Sequence, residues 1–143
     1  MKILVVSTPV GRLGSGQGGG VERTLGSLVA GLLERGHQLT VLAAEGSQLP
    51  PRCREAVLWT AAGVDQPSWQ HQPADAPVQI PAGSLLAALW QRALAEQQHF
   101  DVLLNLGYDW LPLWLTPQTQ TPLVHLVSMG SVSAAMDQVI AQI

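Results

Sequence analysis

KILVVSTPVGRLGSGQGGGVERTLGSLVAGLLERGHQLTVLAA, residues 2–44, decides the fold. Lys2–Ser7 is short, apolar and β-branched without alternation, the pattern of a strand buried on both faces of a parallel sheet. Glycines at 11, 14, 16, 18, 19 and 20 argue against helix or strand over Thr8–Gly20, because glycine loses the most backbone freedom on ordering, and they predict a loop. From Val21 the period changes. Val21, Leu25, Leu28, Val29, Leu32 and Leu33 recur at three- and four-residue spacing and make one apolar stripe of a helix. Arg35-Gly36 closes that helix, the glycine serving as left-handed cap, and His37–Ala44 is a second buried strand. Strand, loop, helix and strand form a βαβ unit with a right-handed crossover.

Outward from this unit the pattern weakens and then returns. Pro50, Pro51, Pro67, Pro73, Pro77 and Pro81 break any long element, leaving a short strand over Ala56–Thr60 and an exposed, irregular excursion over Gly63–Pro77. A helix is expected from Gly83 to about Gln98, and strands over Phe100–Leu106 and Pro122–Val127. A turn and short helix occupy Gly107–Trp114, and Ser131 is the expected N-cap of a last helix running into Ile143 without a stop signal. Strands alternating with helices define an α/β, Rossmann-like three-layer domain with a mainly parallel sheet. Ligands of such sheets bind beyond the carboxyl ends of the strands, which selects the loops Thr8–Gly20, Gly107–Leu111 and Ser128–Ser131.

Composition narrows the function classes. Of 143 residues 47% are hydrophobic, enough for a core, and only 12% are charged, against roughly 25% in ordinary soluble domains, which excludes a disordered chain. A net charge of −3 with Lys2 as the sole lysine argues against a phosphate-tracking nucleic-acid surface. The lone Cys53 has no intramolecular disulfide partner, and no Cys/His spacing for structural zinc is present, so a reducing cytoplasm is expected. Ile3-Leu4-Val5-Val6 is far shorter than the ~18 apolar residues of a spanning helix, so no membrane span is expected. The scattered Trp59, Trp69, Trp90, Trp110 and Trp114 read chiefly as core or rim packing.

The glycine loop admits several readings. A P-loop fails, because no lysine follows its last glycine. Gly14-Ser15-Gly16-Gln17-Gly18-Gly19 matches the dinucleotide fingerprint as a string, but the loop is long for it and Glu45 lies beyond the usual distance of the ribose-binding acid. In the third reading, Gly18, Gly19 and Gly20 present bare amides to an anionic ligand at a helix N-terminus. A solvated loop without a ligand remains the plain alternative.

Lys2–Ser7, a loop ending Gly18-Gly19-Gly20-Val21-Glu22-Arg23, a leucine-rich helix closing Glu34-Arg35-Gly36-His37 and then Leu39-Thr40-Val41-Leu42 together resemble the N-terminal domain of group 1 retaining glycosyltransferases. That family has the GT-B fold, two facing Rossmann-like domains across a cleft. Ser7-Thr8-Pro9-Val10-Gly11 with the long loop is most similar to UDP-glucose:tetrahydrobiopterin glucosyltransferases. The resemblance implies a UDP-glucose donor, a pterin or other small hydroxylated acceptor, no cofactor and no metal. It gives Gly20 and Glu22 roles in binding acceptor or donor phosphate, and leaves His37 structural. It also implies that this chain is the acceptor-side domain, with the donor held mainly by a second, C-terminal domain absent from the sequence. Of this chain's basic residues, Arg12 and Arg23 are the candidates to meet a diphosphate.

Tyr108 and Asp109 follow the Phe100–Leu106 strand at its carboxyl end, where an acceptor hydroxyl or pteridine ring would dock; an ordinary turn with Gly107 explains them equally well. Trp110 is a candidate stacking wall. His71 and His99 read as exposed, and His125 as a satisfied core histidine. Related enzymes carry a cleft histidine after this strand; ungapped alignment from Pro122 puts Ser128 there. Asp109 and Ser128 are thus the candidate reaction-centre residues. Two other classes stay open: a non-catalytic α/β module for a small ligand or partner, and half of a dinucleotide-binding oxidoreductase.

Overall fold

A computed structural model describes residues 1–143. Its nine principal elements are β1 (Lys2–Val6), α1 (Gly20–Glu34), β2 (Gln38–Ala44), β3 (Val57–Ala61), α2 (Leu85–Glu96), β4 (Val102–Asn105), α3 (Trp110–Leu115), β5 (Leu123–His125) and α4 (Ala134–Ala141). The five strands form one sheet in the order β3-β2-β1-β4-β5, and every pairing is parallel. This is an α/β Rossmann-like fold, consistent with the N-terminal half of a GT-B fold.

Strand β1 lies at the centre because it can be buried on both sides. Ile3 and Val5 face α1 and pack with Leu25, Val29, Leu39 and Val41; Leu4 and Val6 face α2 and pack with Leu86, Leu89, Trp90 and Leu103. The period of two along the strand thus feeds two separate cores. Helix α1 ends as expected. Gly36 takes φ +83°, its N–H donates to Leu33 O at 2.9 Å, and the His37 N–H donates to Leu32 O at 3.1 Å, a Schellman closure.

One side chain reaches over part of the sheet's β3 edge. Arg92 of α2 lays its guanidinium 4.5 Å from the centre of the Trp59 ring and donates from Nη1 to Thr60 O at 3.0 Å. At the other edge Val124, Leu126 and Val127 are exposed.

Several expected boundaries are corrected. The Phe100–Leu106 strand is shorter, Val102–Asn105; ahead of it the Asp101 N–H donates to Lys2 O at 2.8 Å while its side-chain Oδ2, in place of a backbone carbonyl, accepts the Lys2 N–H at 2.6 Å. The Pro122–Val127 strand contracts to Leu123–His125. Ser131 does not cap the last helix. Ser133 holds the N-cap position, and the Ser131 hydroxyl instead donates to Asp137 Oδ2 at 2.7 Å. The excursion at 63–77 is irregular but not wholly exposed. Gln66, Trp69 and Ala76 are buried, and Trp69 and Ala76 join Leu113, Met136 and Val139 in a third cluster.

Candidate functional site

Between β1 and β4 the chain reverses the direction in which it winds across the sheet, so the loops leaving these strands part and open a crevice. A concavity of about 540 Å³ lies there, walled by the loop after β1, the start of α1, the turn after β4 and the excursion. Gly18, Gly19, Gly20, Tyr108, Asp109 and Ser128 all line it. The structure therefore brings six of the seven selected residues to one place, from three loops.

Glu22 is elsewhere. It lines a separate concavity with Leu13 and Arg23, and its Oε2 accepts the Gly14 N–H at 3.3 Å, bracing the glycine loop from behind. Arg12 lines a third concavity beside Glu45 and Asp65. Asp109 is consequently the sole Asp, Glu, Lys, Arg or His in the cleft wall. No three His, Cys, Asp or Glu side chains converge anywhere in the chain.

The first wall is backbone. Gly19 precedes α1 with φ +54° and ψ −125°, a conformation that disfavours any side chain, and the helix start has no side-chain cap. The amides of Gly18 and Gly20 donate to no acceptor in the protein. A Cβ placed on Gly20 would meet nothing within 4 Å, so the fold itself does not require glycine there.

The second wall is a network of side chains. Asn105, at the end of β4, is 1% exposed and grips Gly107 of the following turn twice: its Nδ2 donates to Gly107 O at 2.8 Å and its Oδ1 accepts the Gly107 N–H at 2.9 Å. The same Nδ2 lies 3.0 Å from His125 Nδ1, and His125 Nε2 lies 2.8 Å from Thr116 Oγ1, which donates to Pro112 O at 3.0 Å. An amide nitrogen only donates, so Nδ1 accepts and the Nε2–H donates to Thr116. His125 is the satisfied, half-buried histidine expected from its place in the strand, and burial lowers its pKa.

That latch fixes Tyr108 and Asp109. Asp109 is 2% exposed, and its Oδ1 accepts the Trp69 indole N–H at 3.2 Å. Burial pushes its pKa up to about 7, the indole hydrogen bond acting in the opposite sense. Tyr108 lines the cleft with its ring while its hydroxyl is buried toward Val132 and Asp137; burial, then the charge of Asp137, raises its pKa. Trp110 is not the stacking wall. Its ring stacks on Trp114, centroids 5.6 Å apart, outside the cleft. The aromatic residues of the wall are Trp69 and Tyr108.

Sequence reasoning missed Trp69 and Asn105. Each had a signal. A tryptophan alone in a stretch of Gln, Pro and Ser is the residue of that stretch most driven to bury, and an asparagine inside Val-Leu-Leu-Asn-Leu needs buried partners wherever the strand goes.

An all-parallel sheet in the order β3-β2-β1-β4-β5, with a crevice at its switch point, defines a Rossmann-like α/β domain. Residues 18–127, well over half of the chain, match the family model described as Glycosyltransferase Family 4, and the protein belongs to that family. No curated protein matches the sequence.

Proposed function

We propose that this domain is the acceptor side of a retaining glycosyltransferase that moves glucose from UDP-glucose to a pterin or another small hydroxylated acceptor. The observation that carries the reading is the convergence of Gly18–Gly20, Tyr108, Asp109 and Ser128 on one crevice, within a chain of glycosyltransferase family membership. The wall has an aromatic face, Trp69 and Tyr108, for a flat ring, and a carboxyl group, Asp109, for a hydroxyl. It has no cationic side chain to attract an anionic acceptor.

Retention follows if the acceptor oxygen enters on the face from which the diphosphate departs. Such a reaction needs no protein nucleophile. It needs the two substrates held together and the charge developing on the leaving diphosphate stabilised. The free amides of Gly18 and Gly20, at the positive end of α1, suit that second task. Glu22 acts indirectly in this scheme, by shaping the loop. The remaining donor contacts come from a second, C-terminal domain of the same enzyme.

The test is transfer from UDP-glucose to tetrahydrobiopterin by the enzyme that carries this domain, with the anomeric configuration of the product read by NMR. An α-linked glucoside supports the reading. A β-linked product overturns retention, and stabilisation by NADH in place of UDP-glucose or pterin overturns the transferase assignment in favour of a dinucleotide site.

A further inference from the structure

Asp109 stands immediately before α3, where an aspartate ordinarily accepts from the first-turn amides of its helix. Its backbone is extended, φ −144° and ψ 152°, as a capping residue's should be, yet its side chain makes no capping bond. Oδ1 turns instead to the Trp69 indole, and Oδ2 accepts nothing from the protein. Trp69 reaches it from the excursion, far from β4 in sequence, and is 7% exposed within the cluster of Ala76, Leu113, Met136 and Val139. An indole nitrogen has one hydrogen and no acceptor capacity. With the ring packed, that N–H has one direction, and the carboxyl group that meets it is fixed in turn.

We propose that Trp69 is the positioning residue of the cleft: its indole N–H holds Asp109 Oδ1 so that Oδ2 faces a hydroxyl of the acceptor. This rests on the acceptor-site reading above. It explains why an irregular, proline-broken excursion carries a buried tryptophan at all, and why Asp109 forgoes its cap. The excursion then serves as the support that keeps a directional acceptor group from rotating. The titratable and charged groups on the surrounding elements are Tyr108 beside Asp109, Glu22 and Arg23 on α1, Asp65, His71 and Asp75 on the excursion, His125 on β5 and Asp137 on α4; of these Tyr108 alone shares the cleft wall.

The experiment follows the Asp109 carboxyl by ¹³C NMR and the Trp69 indole N–H by ¹H–¹⁵N NMR, in the 143-residue chain, from about pH 4 to about pH 9. The indole signal should move with the carboxyl titration at a shared midpoint, and Asp109→Asn should abolish that movement. Trp69→Phe keeps a ring in the cluster without a donor. Because the indole favours the charged carboxylate, its loss should raise the Asp109 midpoint by about half to one pH unit. An indole signal blind to the Asp109 titration, or a midpoint that stays or falls in Trp69→Phe, overturns the proposal. Should Trp69→Phe fail to fold, the measurement on the unaltered chain decides. In the transfer assay the same variant should raise KM for the acceptor and leave KM for UDP-glucose unchanged, whereas an equal rise in both overturns the positioning role. The NMR arms involve no transfer, so failure of the glycosyltransferase reading and failure of this inference are separately visible.

Discussion

The two walls of the cleft are built on opposite principles. The glycine wall works by omission: no side chains, no side-chain cap, and amides left without partners. The Asp109 wall works by accumulation: Asn105, His125, Thr116 and Trp69 fix one turn through hydrogen bonds that leave few groups free. A substitution in the first wall should therefore touch ligand binding and spare the fold, and one in the second should touch the fold first.

The largest expected effect tests the second wall through pH. Burial pushes the Asp109 pKa up from the ordinary 3.8 to about 7, so between these values the native state holds a proton that the unfolded chain has lost. Native stability must then fall as pH rises from about 4 through about 7. At about 1.4 kcal/mol per unit, the stability of the protein relative to an Asp109→Asn variant should drop by up to about 4 kcal/mol across that window, as measured by urea unfolding at a series of pH values. Parallel curves for the two proteins would show that burial does not raise the Asp109 pKa on folding. Next is Asn105→Ala, which strands the Gly107 N–H and carbonyl together with His125 Nδ1. It should cost about 3 kcal/mol at neutral pH, visible as a lower urea midpoint with unchanged slope.

Gly20→Val sharpens the contrast from the other side. Its Cβ enters open space, so stability should change by less than about 0.5 kcal/mol, while transfer falls by about 100-fold, roughly 2.7 kcal/mol of barrier, because the side chain occupies the approach to the amides. Undiminished turnover would remove the glycine wall from the reaction. The smallest effect belongs to Ser131→Ala, which deletes only an exposed hydroxyl-to-carboxylate contact with Asp137 and should shift the thermal midpoint within about 0.5 kcal/mol of stability. A larger loss would mean that Ser131 caps α4 after all.

The difference between the walls also explains what could be read from residues alone. Glycines, strand periodicity and the Arg35-Gly36 stop are local signals, and β1, α1 and β2 lie where those signals put them. The glycine wall was legible for the same reason. The second wall depends on contacts between residues forty positions apart, Trp69 with Asp109, and between neighbouring strands, Asn105 with His125. No local period encodes these. Asp109 and Tyr108 could be selected because they follow a strand, whereas the direction of Glu22, away from the cleft, depends on the path of the glycine loop behind it. The Ser131 and Trp110 expectations failed through competing partners, Asp137 and Trp114, which local propensity does not weigh.

The Arg92 contact described at the sheet's β3 edge has a consequence for assembly. The Trp59 and Thr60 positions would otherwise offer a flat ring and a free carbonyl to any passing strand, the template on which sheets add chains and aggregate. A guanidinium laid over the ring and bonded to that carbonyl leaves an incoming strand a charge to displace and one fewer acceptor to pair with. The β5 edge carries no such guard over Val124, Leu126 and Val127. The two edges of the sheet are therefore unlike: one carries a charge laid over a ring and a carbonyl, the other a row of bare apolar side chains.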